Sequence, residues 1–210
     1  MRGIMFIELL FGRTIEGFKD MTRRSGGLEL LNGTKKDPLE PEEYFFLEDT
    51  INHFDRKGQF RPCFRHKKGK KNDIACYSYY RKGEYLYIKE PTIVYPDGKI
   101  LYKYKPTEAQ SMKWDNKMYM GADRARYYVQ ITDIKVERFN DITTADCIRE
   151  GVIPGILEHL NERDRFFSIY RVANNIPSSK ELKNIWVFVY TFRFITDTEE
   201  ITKIKQNGSK

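Results

Sequence analysis

The residues best suited to chemistry in this chain stand close together: Lys19, Thr22, Arg23 and Arg24, within Gly17-Phe18-Lys19-Asp20-Met21-Thr22-Arg23-Arg24. A threonine hydroxyl attacks an acyl carbon once a base takes its proton, and a lysine stripped of water can be that base. Lys19 and Thr22 are three apart at what reads as a helix end, a spacing that turns both toward the same space. The same cations equally complement a helix C-terminus, worth about 0.3–1 kcal/mol each with no function attached. Glu150 adds a third group. It falls in the last turn of a short helix, where the dipole disfavours a carboxylate. A cation from elsewhere, Lys19 or Arg24, is therefore expected beside it, and solvent is the alternative. The chain has no P-loop, no G-x-G-x-x-G, no H-E-x-x-H and no G-x-S-x-G. Its three histidines, His53, His66 and His159, are scattered, so any catalysis rests on Lys, Thr, carboxylates or Tyr.

Charge points to a partner rather than a reaction. A formal net charge of +7 suits an anion such as RNA, DNA or a nucleotide. Much of the excess sits in Arg65-His66-Lys67-Lys68-Gly69-Lys70-Lys71 and in the tail from Lys203 to Lys210. Solvated loop charge explains such runs equally well, and neither names a ligand. Cys63-x-x-His66 followed by Cys76 has the look of a metal site, but a structural zinc needs four ligands and Cys147 lies far along the chain. The expectation is no metal, no cofactor and free, partly buried thiols. No apolar run reaches the roughly 18 residues that span a bilayer. Glu8 interrupts Ile4-Met5-Phe6-Ile7, which argues against a signal peptide and for the cytoplasm.

The elements that must position these groups alternate between two periodicities. Ile7, Phe11, Ile15 and Phe18 recur at helical spacing and predict an amphipathic helix over residues 8–19. Ser25-Gly26-Gly27 then turns the chain. Residues 25–75 read as an insertion or long hairpin in which Tyr44-Phe45-Phe46-Leu47 can form a strand. Strands follow at Tyr85–Ile88, Thr92–Tyr95 and Ile100–Tyr104, the last two joined by the turn Pro96-Asp97-Gly98. Along 127–139 the apolar alternation changes phase at Thr132-Asp133, as a bulge or bend requires. A short helix over 143–150 starts at Thr143 or Asp141 and stops at Gly151, and a second lies within 155–167. In the closing strand, 185–195, Trp186, Phe188, Tyr190, Phe192 and Phe194 share one side, suited to core packing ahead of base stacking. One domain over 1–200 and a flexible basic tail over 201–210 complete the expectation.

Several of these segments, in this order, resemble ASCH domains, a PUA-like family. Gly17 to Arg24 is similar to its G-x-K-x-x-T-x-R segment, in the form common in phages and prophages. Tyr80 to Glu90 resembles its G-D-x-L-Y strand, Met118 to Arg126 its Met-to-Arg segment, and Ile131 to Phe139 its "ITDVRVERL" strand. Ile142 to Gly151 and Trp186-Val187-Phe188 match the helix and the strand that follow. The resemblance covers most of the chain outside 25–75 and the tail. It implies an α+β fold, a small mixed β-barrel with flanking helices and a cleft between barrel and helices. It implies recognition of RNA, other nucleic acid or a modified nucleoside there. Arg23, Arg24, Arg126, Arg65, Lys67 and Lys68 would then meet phosphates. The family's amidohydrolases that deacetylate N4-acetylcytidine are similar at the same place, which carries their lysine onto Lys19, threonine onto Thr22 and glutamate onto Glu150. In that alternative Thr22 is the nucleophile, Lys19 its base and Glu150 the proton shuttle, with Arg24 or backbone amides at the oxyanion. Phe18 stands where those enzymes carry arginine and Arg23 where they carry an apolar residue, which leaves the substrate open. A third alternative is a phage accessory protein that contacts another protein through its acidic 38–49 segment. Oligomeric state is open.

Overall fold

The computed structural model describes residues 1–32, 44–47, 54–55, 57–69, 73–104, 112–155, 160–179, 182 and 184–208. The chain is α+β and divides into two compact units, one from residues 1–20, 85–130 and 193–210, the other from 21–84 and 131–192.

In the first unit β1 (Arg2–Met5) runs parallel to β6 (Tyr85–Lys89), with Gly3 opposite Tyr87 and Ile4 opposite Ile88. A side chain at Gly3 would start 2.4 Å from Lys89 Cε and 2.7 Å from the Tyr87 ring, so the approach depends on glycine. β6 pairs antiparallel with the start of β9 (Tyr128–Arg138). The hairpin β7 (Thr92–Val94) to β8 (Ile100–Tyr102) turns at Pro96-Asp97-Gly98, where Lys99 N–H donates to Asp97 Oδ1. Tyr87, Met120, Ala125, Tyr128, Ile195 and Ile204 form the core.

Helix α1 (Glu8–Ile15) is shorter than the 8–19 expected. Gly17 turns left-handed at φ 81, and the N–H groups of Phe18 and Lys19 both close onto the Arg13 carbonyl. Phe18 continues the apolar stripe in sequence but not in space; it is exposed and lies over the Arg13 guanidinium. The expected flexible tail is also different. Residues 198–208 form helix α5 (Thr198–Gly208), whose first turn is capped by Asp197 Oδ1, and Ile201 and Ile204 anchor it to the core.

In the second unit β2 (Met21–Arg24) pairs antiparallel with β10 (Trp186–Phe194), Thr22 opposite Tyr190 and Arg23 opposite Val189. One face of this pair carries Met21, Val187 and Val189, packed with Phe139, Cys147, Val152 and Phe166. The last three come from and around α3 (Thr144–Arg149) and α4 (Glu162–Ala173). The other face presents Trp186, Phe188 and Tyr190, whose rings meet Phe64, Phe60 and Tyr80 at 4.9, 6.2 and 5.2 Å. The aromatic row of the closing strand is therefore core. Those partners belong to the antiparallel set β3 (Tyr44–Phe46), β4 (Cys63–His66) and β5 (Ile74–Ala75) and to the chain around it. A short helix α2 (Glu29–Asn32) precedes β3, and Asn32 exchanges two hydrogen bonds with the Trp186 backbone.

β9 and β10 each run from one unit into the other, and the strand order through them is β1-β6-β9-β10-β2. A barrel closes only when its first and last strands hydrogen-bond each other. Here β1 and β2 are the two ends of the order, so among the described residues the expected barrel is not closed. The phase change expected in β9 falls where Thr132 and Asp133 are exposed in succession, between buried Ile131 and buried Ile134. No helix among the described residues is long and apolar enough to cross a membrane.

Candidate functional site

β2 decides where the residues of the Gly17–Arg24 segment point. Thr22 is on a strand, not at a helix end, so its separation of three from Lys19 carries no helical meaning. Alternation sends Met21 and Arg23 to the helix-covered face and Thr22 and Arg24 to the face of Phe188 and Tyr190. Arg23 is buried, and its guanidinium gathers three carboxylates. Nε and Nη2 donate to Glu137 Oε1 at 2.9 and 2.5 Å, Nη2 donates to Asp146 Oδ2 at 3.1 Å, and Nη1 donates to Glu150 Oε1 at 3.1 Å. The Lys135 ammonium meets Glu137 Oε2 at 2.8 Å. Burial opposes the charge on Arg23, but Glu150, Glu137 and Asp146 outweigh it and hold the pKa above its ordinary value.

Local structure explains each partner. Thr143 Oγ1 accepts the Asp146 N–H and Asp146 returns to the Thr143 N–H, a capping box that starts α3. Glu150 caps the other end of α3, and Gly151, with φ 98, leads the chain away. The sequence led to the expectation of Lys19 or Arg24 beside Glu150; the cation that donates to Glu150 Oε1 is instead Arg23, one of the six residues expected to meet phosphate. Thr22 and Glu150 consequently approach β2 from opposite faces, and no hydrogen bond joins them among the described residues. Lys19 is buried in the other compact unit, its ammonium 5.3 Å from the Phe6 ring centroid.

Arg126 also has a carboxylate of its own. Nε and Nη2 donate to the two oxygens of fully buried Glu90 at 2.6 and 2.7 Å, and the guanidinium stacks between Tyr102 and Tyr127, 4.4 and 4.8 Å from their ring centres. Burial raises the Glu90 carboxyl pKa, and Arg126 offsets this only in part. Arg24 is half-buried opposite Phe188.

The remaining predicted cations lie together on an exposed hairpin of the second unit. The β4–β5 ladder continues beyond both strands, with Cys76 N–H donating to Pro62 O and Ser78 N–H to Phe60 O. Along this ladder Phe60, Pro62, Phe64, His66, Cys76, Ser78 and Tyr80 are buried, whereas Arg61, Arg65, Asp73, Tyr77 and Tyr79 are exposed. Arg65 forks onto Asp73 at 3.0 and 2.8 Å, Arg61 lies over Tyr77 at 5.3 Å, and Lys67 and Lys68 are exposed at the turn. Lys70 and Lys71 fall outside the described residues, as does most of the acidic 38–49 segment. Arg61, Tyr77 and Tyr79 were not singled out from sequence; Phe60, Pro62 and Phe64 do alternate with Arg61 and Arg65, but over 73–80 those two tyrosines face out and Ser78 faces in, so no apolar alternation marks that segment.

Two of the three cysteines are buried and held in the thiol form. Burial pushes the Cys76 thiol up to about 12 and the Cys147 thiol up to about 11. No group of three or more His, Cys, Asp or Glu side chains among the described residues is placed to hold a metal ion, and His66 Nδ1 accepts the Lys68 N–H. A surface depression of about 440 Å³ along α4 is lined by Arg163, Phe167 and Arg171 rather than by any predicted residue.

Comparison with protein-family models, with curated proteins and with solved structures finds no match to the chain. Fold and site define it by architecture alone, as an α+β protein with a buried Arg23-centred ion cluster and a basic, solvent-facing hairpin.

Proposed function

We propose that this protein recognises nucleic acid, and that the hairpin over residues 59–80 makes the first contact. One observation carries the reading: with Phe60, Pro62, Phe64 and His66 turned inward, Arg61, Arg65, Lys67 and Lys68 are left on one exposed element. Between residues 59 and 80 six lysines and arginines face a single aspartate, which makes this the most basic stretch of a chain with net charge +7. A polyanion is the partner that such a surface suits, because each phosphate neutralised releases a counterion. The resemblance to ASCH domains, with their PUA-like fold, agrees with this class. Deacylation of a modified nucleoside by Lys19, Thr22 and Glu150 has less behind it, since Glu150 is engaged by Arg23 on the face of β2 away from Thr22.

The test is the affinity of the full chain for labelled RNA and DNA oligonucleotides between about 50 and 200 mM salt. If all four cations engage phosphates, log K falls with log salt at a slope of about −3 for a single strand. Replacing Lys67 and Lys68 by alanine flattens that slope by about one to two units. No binding at low salt, or a flat dependence, overturns the reading.

A further inference from the structure

Tyr77 and Tyr79 stand out on the hairpin because large apolar surface faces water on an element whose other side is fully packed. They are 47% and 58% exposed, while Ser78 between them and Tyr80 beyond are buried. Several contacts fix that orientation. Ser78 Oγ accepts the Phe60 N–H at 3.0 Å and donates to Tyr80 O at 2.6 Å, and Tyr190 Oη accepts the Tyr79 N–H at 3.0 Å. Rotating the segment to hide either ring would break these buried bonds, so the exposure is held by the fold. Cations flank the rings, Arg61 over Tyr77, with Arg65, Lys67 and Lys68 farther along the hairpin.

Resting on the nucleic-acid reading above, we infer that this face takes a single strand, with unpaired bases stacked on Tyr77 and Tyr79 and the backbone along Arg61, Arg65, Lys67 and Lys68. Stacking on tyrosine needs a free base face, which a duplex keeps inside its own stack. An aromatic face of this kind tolerates any base, so little sequence preference is expected.

The experiment compares the full chain with Tyr77→Ala, Tyr79→Ala and the corresponding Phe variants, titrated by fluorescence anisotropy into a labelled single strand of about 12 nucleotides and into the same sequence as a duplex. Both tyrosines are exposed, and unchanged denaturation midpoints confirm that the variants fold. The single strand is expected to bind more tightly than the duplex, with each alanine variant weakening it about 5- to 100-fold and each phenylalanine variant leaving it unchanged. Duplex affinity stays constant across the set. Salt-dependent binding that ignores the tyrosines, or that favours the duplex, overturns this inference and leaves nucleic-acid recognition standing. A parent chain that binds neither probe at low salt overturns both.

Discussion

Arg23 Nη1 donates to Glu150 Oε1 at 3.1 Å, and both side chains are buried. This contact accounts for a carboxylate at the C-terminal end of α3, where the helix dipole would otherwise repel it. The same guanidinium reaches Asp146 at the start of that helix and Glu137 on β9. One residue of β2 thereby fixes both ends of α3 against the sheet.

Arg23→Met is expected to cost about 3–5 kcal/mol, because it removes the buried guanidinium that Glu150, Glu137 and Asp146 share. Arg23→Lys recovers little of this, since one ammonium cannot fork across Glu137, Asp146 and Glu150. Urea denaturation at neutral pH measures both. A loss below about 1 kcal/mol for Arg23→Met would mean the cluster is hydrated and structurally minor.

Acid should loosen the same cluster. Burial alone would raise the Asp146 pKa, but Arg23, Lys135 and the bonds with Thr143 outweigh it and hold the carboxyl below its ordinary 3.8. A depressed folded pKa contributes stability that is present above the unfolded value and lost as pH falls through the folded one. Asp146 thus supports the fold above about pH 4 and withdraws that support below it. Glu90 acts with the opposite sign, since its raised pKa means its contribution is lost as pH rises, and Asp55, Asp73 and Glu200 are lowered like Asp146. Only the difference between parent and Asp146→Asn isolates the residue. Denaturation midpoints taken from pH 7 down to about pH 3 should converge for the two chains at the acid end. Parallel curves would remove Asp146 from the acid response.

Much of this fold was legible from local signals. Thr143 and Gly151 bracket α3, Pro96-Asp97-Gly98 turns β7 into β8, and the exposed pair Thr132-Asp133 marks the phase change in β9. Each depends on neighbours in sequence. The end of α1 was misread because Phe18 prolongs the apolar stripe, while the left-handed Gly17 that stops the helix leaves periodicity untouched. The role of Arg23 was out of reach for another reason. Its three partners lie 114 to 127 positions away, and no spacing rule links a strand residue to a helix cap at that distance. Tertiary pairing reassigned Arg23 from ligand contact to internal support. On the hairpin, alternation over 59–66 marks Arg61 and Arg65 as outward-facing, whereas nothing in the run from Ile74 to Tyr80 tells the exposed Tyr77 and Tyr79 from the buried Tyr80.

Gly27 ties the tyrosine face to the fold and gives a last prediction. Its backbone is left-handed at φ 90, and an added Cβ would stand 2.2 Å from Tyr77 O and 3.3 Å from Phe188 Cε2. The first obstacle is backbone, which cannot swing aside as the end of a long side chain does. Gly27→Ala must therefore strain residue 27, push the Tyr77 segment outward, or both, at a cost of about 1–3 kcal/mol. Because Tyr77 moves with its own carbonyl, the same change should weaken single-strand binding beyond the loss of stability. Gly12→Ala is the control. It sits within α1 with nothing inside 4 Å of the new atom, and alanine there should add about 0.5–1 kcal/mol. Thermal denaturation and anisotropy on the two variants read both effects. A Gly27→Ala chain as stable as the parent, with unchanged affinity, would show that the contact between Gly27 and Tyr77 does not hold the hairpin in place.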